Sequence, residues 1–161
     1  MTDPAARSPE ESRVSVARLM IPTDANFRGN VFGGALLAEI DRVAYITATR
    51  HAKSDSVTAS FDRVDFIAPV HVGEVVEFEA VLTYAGRSSM EVWVRTTAEE
   101  LKGGEPKLVA EAYVTMVAVN AAGAPVPVPA LALTTPEERA RFEEGRARMQ
   151  ARKNLRATRH R

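Results

Sequence analysis

From about residue 57 to residue 119 the chain alternates apolar and polar side chains in four long runs, broken only by short turns. Val57, Ala59 and Phe61 alternate with Thr58, Ser60 and Asp62. Val76, Phe78, Ala80, Leu82 and Tyr84 stand opposite Glu77, Glu79 and Thr83. Met90, Val92 and Val94 alternate with Glu91, Trp93 and Arg95, and the run Leu108 to Val119 is apolar on both sides near its end. A period of two marks β-strands. Residues 68–73, 85–88 and 102–106 are rich in Gly, Pro and polar residues and read as turns. Strands joined by turns this short must be mostly antiparallel.

Before these strands the period is helical. From Gly34 to about His51, Leu36, Leu37, Ile40, Val43, Ala44, Thr47 and Ala48 share one broad face, and Glu39, Arg42, Thr49 and Arg50 fall on the other. A strand of ten residues spans ~33 Å, more than a helix of about eighteen residues at ~27 Å. The expected fold is α+β: a long, twisted antiparallel sheet wrapped around one central helix.

The flanks are plainer. Residues 1–12 are polar and Pro-rich and are expected to be disordered. Val14, Val16 and the stretch Leu19 to Ile21 suggest a first strand ended by Pro22. Residues 121–131 read as an extended Pro-rich segment lying along the surface. Thr135-Pro-Glu-Glu is a helix start with a cap, a Pro at the first position and acids in the first turn. The Arg-rich tail from Arg139 is expected to be a solvated helix that frays. The organisation is thus a disordered segment 1–12, one domain over 13–134, and a C-terminal helix with a basic tail over 135–161.

Composition excludes several classes. Lys plus Arg, 21, equals Asp plus Glu, 21, so no basic excess points to nucleic acid. With no cysteine there is no thiol nucleophile or Cys-based metal site. His51, His71 and His160 have no ligand spacing, so no metal site is expected. No apolar run approaches ~20 residues and the first dozen residues lack an apolar signal region, so the cytoplasm is the expected location.

One segment carries chemistry. Asp24-Ala-Asn-Phe-Arg-Gly-Asn-Val-Phe-Gly-Gly is a polar loop that runs into the helix. The first N–H groups of a helix lack internal partners and carry the positive end of its dipole. Without side chains at Gly33 and Gly34, a substrate oxygen could reach them. Asp41 borders the apolar face among small residues, where partial desolvation makes a carboxylate a better base or nucleophile. Asn26 adds an amide. These residues alone also admit a plainer reading: an aspartate on a helix flank and a Gly-Gly that only turns the chain.

Four blocks, in order and spacing, resemble a known family. They are Asp24 to Gly34 continuing through Leu37 to Asp41; Arg50-His51-Ala with Val57-Thr58-Ala-Ser60 and Val64-Asp65-Phe66; Pro69-Val-His-Val-Gly73-Glu74; and Gly86-Arg87-Ser88-Ser89-Met90-Glu91-Val92, with Thr115 to Val119 and Pro127-Val-Pro129 beyond it. Arg141-Phe142-Glu143-Glu144-Gly145 also matches. Over roughly residues 14–150 the chain is similar to the hotdog-fold acyl-CoA thioesterases, in particular the broad-specificity cytosolic acyl-CoA hydrolases that include the YciA-like enzymes and brain acyl-CoA hydrolase. There is one departure: Phe32 stands where the vertebrate members carry histidine, so no histidine role falls there.

The resemblance implies hydrolysis of fatty acyl-CoA to free acid and coenzyme A. It implies Asn26 and Asp41 as the catalytic pair, facing each other across a dimer interface, with the backbone near Gly34 as oxyanion donor. Thr58 is a helper for the attacking water or simply a strand residue. Gly33 and the Gly86, Arg87, Ser88, Ser89 turn would contact the substrate, the turn through the coenzyme A phosphates. No cofactor is implied, coenzyme A being part of substrate and product. The partners implied are acyl-CoA and further copies of the chain, as a dimer or a trimer of dimers, with no nucleic acid or membrane. A hotdog hydratase would need a histidine between Asn26 and Asp41, and an acyl-CoA-sensing regulator would need a DNA-binding module. A non-catalytic acyl-CoA-binding protein is the remaining alternative, and Asp41 argues against it.

Overall fold

The computed structural model describes residues 4–159. The third histidine, His160, lies outside the described residues, as does the start of the segment expected to be disordered. In chain order the elements are β1 (Val14–Leu19), α1 (Gly33–Ala52), β2 (Asp55–Phe66), β3 (Glu74–Ala85), β4 (Ser89–Glu100), β5 (Lys107–Val119) and α2 (Pro136–Arg159). The strands form one sheet in the order β1-β3-β4-β5-β2, every neighbouring pair antiparallel.

The sheet wraps α1. Ile40, Val43, Ala44 and Ala48 on the helix meet Phe78, Met90, Val92, Val94, Val114 and Met116 on the strands, all buried. Removing this apolar surface from water is the main force joining the two layers. The arrangement is the hotdog fold that the strand and helix lengths imply.

The exit from α1 positions the site. Lys53 adopts a left-handed conformation (φ 57°), and its N–H closes on Thr49 O at 3.0 Å. Such a residue ends a helix and reverses the chain. β2 therefore begins at once and runs back along α1, so its first half lies beside the C-terminal half of the helix and its last residue, Phe66, reaches Gly33.

Four expectations need correction. The alternation expected for Val57 to Asp62 is interrupted twice. Thr58 pairs with Met116 and Ser60 with Thr115, leaving Ala59 as an extra residue; Phe61 pairs with Val114 and Arg63 with Tyr113, leaving Asp62 as another. Each bulge shifts the following side chains to the other face, so Thr58 and Phe61 both lie opposite buried residues facing α1. Glu39, placed on the polar side of the helix, is 8% exposed, because Arg18 of β1 bonds to it at 2.9 Å.

Residues 7–12, within the segment expected to be disordered, are ordered. Pro9–Ser12 form a 3-10 turn with a Ser8–Glu11 capping box, Ser12 is buried, and Arg7 bonds the carbonyls of Arg50 and His51. The Arg-rich tail, expected to be solvated, docks on the sheet as far as Arg152. Along α2, Phe142 meets Tyr84 with ring centroids 5.0 Å apart, and Arg141 lies over Trp93. Arg148 pairs with buried Glu91 at 2.8 Å and covers the Tyr113 ring, and Arg152 pairs with Asp62. The helix start is as expected: Thr135 Oγ1 accepts from Glu138 N, and Glu138 Oε2 accepts from Thr135 N.

Candidate active site

The loop before α1 is a closed structure. Phe32 N–H donates to Asp24 O at 2.7 Å, Asn26 N–H to Asn30 O at 2.7 Å and Gly29 N–H to Asn26 O at 3.0 Å. Gly29 sits at φ +82°, a conformation that costs glycine little. At the loop's centre, Arg28 N–H donates to Asn26 Oδ1 at 2.9 Å. That bond occupies the amide oxygen and leaves the Asn26 NH2 without a protein partner among the described residues. Asn26 is therefore presented as a donor.

The helix start lies beside it. Asn26 and Gly34 line a cavity of about 590 Å³ with Ala25, Phe27, Phe32 and Ala35. Asn26 and Gly33 line a second cavity of about 350 Å³ whose far wall is apolar: Leu36, Phe66, Ile67 and Val70. Of the two glycines, Gly34 is the more tightly surrounded. A Cβ on Gly34 would fall 2.2 Å from the Phe32 ring, and one on Gly33 would meet the Phe66 ring at 3.4 Å. The sequence did not mark Leu36, on the helix, and Phe66, Ile67 and Val70, in the stretch after β2, as the lining of one pocket. Their apolar character was the only signal.

Asp41 is half-buried, about two turns farther along α1. Thr58 Oγ1 donates to Asp41 Oδ1 at 2.6 Å, which makes Thr58 a partner of the carboxylate rather than a bare strand residue. The second oxygen, Oδ2, has no protein partner among the described residues.

The expected site residues thus fall into two groups. Thr58, Met116 and Met90 form one cross-strand row, so the β3–β4 turn is level with Asp41 and Thr58. In that turn Gly86 N–H donates to Ser89 O, and Arg87 and Ser88 line a cleft of about 290 Å³ with Pro125, Val126 and Pro127. Gly86 and Ser89 shape the turn and do not line the cleft. Asn26, Gly33 and Gly34 lie toward the other end of β2, level with Phe66, whose ladder partner Ala110 is six residues along β5 from Met116, the partner of Thr58. Within one copy the structure brings Asp41 to Thr58, and Asn26 to Gly33 and Gly34, but it does not bring Asn26 to Asp41.

The loop is tethered at two points. Val31 N–H donates to Val70 O at 2.8 Å, and His71 Nδ1 pairs with Asn30 Oδ1 at 3.1 Å, so His71 supports the loop. Burial would raise the Glu74 carboxyl, but Lys107 and the His71 N–H hold it below its ordinary value. The other tether is Arg18, whose guanidinium joins Asp24 at 2.8 Å to Glu39. Among the described residues, no three His, Asp or Glu side chains are grouped to hold a metal ion, and no helix is long and apolar enough to cross a membrane.

Comparison with known proteins adds to this geometry. Residues 28–105 match the thioesterase superfamily. A Bacillus subtilis protein named as an uncharacterized acyl-CoA thioester hydrolase, YkhA, is 41% identical over 138 residues, 86% of this chain and 80% of its own. The crystal structure of an apo, hexameric acyl-CoA thioesterase superposes with a TM-score of 0.90 at 44% identity, covering 95% of this chain and 98% of that one. An acyl-CoA hydrolase from Staphylococcus aureus, solved with butyryl coenzyme A, coenzyme A and coenzyme A disulfide, gives 0.87 at 36% identity, covering 95% and 93%. That hydrolase has also been solved with alanine in place of one asparagine, one aspartate and one threonine.

Proposed function

The chain belongs to the thioesterase superfamily, and on that premise we propose that it hydrolyses acyl-CoA to a free carboxylic acid and coenzyme A, at a site shared between two copies. The observation that carries the reading is the Thr58–Asp41 hydrogen bond, which holds one carboxylate oxygen and leaves the other free toward a substrate. The asparagine, aspartate and threonine substituted in the S. aureus hydrolase have the same spacing along that chain as Asn26, Asp41 and Thr58 have here.

The layout of one copy supports the sharing: among the described residues no hydrogen bond joins Asn26 to Asp41, and the cavities that Asn26 lines do not include Asp41. β2 is a sheet edge that exposes Val57, Phe61 and Phe66, a surface suited to pairing with another copy. A second copy there supplies Asn26 and the helix start to this copy's Asp41. Association of such dimers into a hexamer follows the hexameric relative.

In this site the Asn26 NH2 and the helix-start N–H groups receive the thioester oxygen as it gains charge, a preorganised environment whose donors each contribute on the order of 3 kcal/mol. Asp41 takes a proton from water as it attacks, or attacks the carbonyl itself to form an anhydride that water then opens. Either route expels the coenzyme A thiolate and returns the carboxylate. Arg87 and Ser88 offer donors to a phosphate of the coenzyme. The test is thiol release from a chain-length series of acyl-CoA substrates. Steady release, lost in Asp41→Asn, supports the enzyme, whereas stoichiometric binding without release favours the non-catalytic acyl-CoA-binding alternative.

A further inference from the structure

We propose that Arg18, outside the catalytic pair, is a positioning residue that sets where the Asn26 amide stands relative to the helix start; the inference rests on the functional reading above. Arg18, next to last in β1, has a half-buried guanidinium that holds two carboxylates at once. Its Nη2 donates to Asp24 Oδ1 at 2.8 Å and its Nη1 to Glu39 Oε1 at 2.9 Å. Both carboxylates are largely withdrawn from water, with side-chain exposures of 9% and 11%. Charge-assisted bonds of this kind, away from bulk solvent, are stronger and geometrically stricter than surface pairs.

The two carboxylates belong to the two parts of the site. Asp24 is the base of the Asn26 loop: its carbonyl accepts Phe32 N–H, and its Oδ2 accepts Ile21 N–H at 3.0 Å. The loop above it is closed by its own hydrogen bonds, which tie Asn26 to that base through the loop backbone. Glu39 lies on α1, between Gly34 and Asp41, and also pairs with Arg42. Arg18 is therefore the side chain that joins the loop base to the helix, while the contacts at Val70 and His71 hold the loop's far side to another part of the chain. Lysine cannot replace the guanidinium, because a single ammonium lacks the planar fork that spans both partners.

The experiment has two readouts. In amide hydrogen exchange, Arg18→Gln and Arg18→Lys speed exchange in residues 25–31 and leave β3 and β4 as in the unsubstituted protein. In steady-state thiol release, both variants lower kcat, Arg18→Gln by about ten- to a hundredfold as expected for an ångström-scale misplacement, with KM changed less than twofold. Combined with Asn26→Ala, Arg18→Gln adds no further loss, because the residue acts through Asn26. Unchanged exchange in the loop, a kcat within twofold of the unsubstituted protein, or multiplied losses in the double variant overturns the proposal. If the unsubstituted protein releases no thiol, the functional reading falls, and the exchange data still decide whether Arg18 tethers the loop.

Discussion

The Thr58 hydroxyl, on an edge strand, donates to the Asp41 carboxylate, on the central helix, at 2.6 Å. One oxygen is thereby fixed and the other left for chemistry. Asp41→Asn keeps the shape and the acceptor for Thr58 but removes the base. It is expected to lower kcat by about 10²–10⁴-fold, with circular dichroism and thermal midpoint near those of the unsubstituted protein. Thr58→Val leaves Asp41 unheld and is expected to cost about tenfold, the net contribution of one hydrogen bond. Near-normal hydrolysis by Asp41→Asn would remove Asp41 from the mechanism.

Asn26 can be tested without disturbing its loop. Its Oδ1 accepts Arg28 N–H, and the free group is the NH2. Asn26→Asp retains the acceptor and deletes the donor. The expected result is a kcat lower by about 10²–10³-fold, as for the loss of one oxyanion donor. A variant that keeps full activity would show that the NH2 does not contact the reacting carbonyl.

Gly145 tests the docking of α2. A mid-helix Gly→Ala change ordinarily stabilises by about 0.5–1 kcal/mol. Here a Cβ would lie 2.8 Å from Glu91 Oε1 and 2.8 Å from Tyr84 Cβ, and neither atom is the end of a free side chain. Overpacking of this sort costs about 1–3 kcal/mol, so Gly145→Ala is expected to lower the thermal midpoint. A raised midpoint would mean that α2 is not seated against Glu91 and Tyr84.

His51 links stability to pH. Burial holds its imidazole below the ordinary value, and the Arg7 guanidinium pushes the same way, against the hydrogen bond to Pro129 O. The carbonyl can only accept, so the proton sits on Nε2, and Nδ1 is buried without a partner. Below about pH 6.5, the ordinary histidine value, the unfolded chain binds a proton that the native one does not. Stability therefore falls as pH drops from that value toward the native pKa. Asp62 and Glu74, both held below the usual carboxylate range, contribute above their unfolded values near pH 4 and lose that contribution only as pH falls through their folded values. Urea midpoints at pH 7.5 and 5.5 should differ, with the difference reduced in His51→Gln. Equal drops in both proteins would assign the effect to other groups.

What the sequence determined alone was local. The alternation in the strands, the helical face from Leu36 to Ala48, the Thr135 cap and the Gly-Gly before the helix all depend on residues a few positions apart, and each was legible. The tertiary structure alone decided what depends on pairing between distant segments. It set the bulges at Ala59 and Asp62, the first of which turns Phe61 to the α1 side of the sheet, and it buried Glu39 against Arg18. It also seated Arg148 and Arg152 on the outer face of the sheet and brought the Thr58 hydroxyl to Asp41. Register and burial are set by which surfaces meet, and the same short stretch of chain is compatible with more than one partner until the whole sheet closes around its helix.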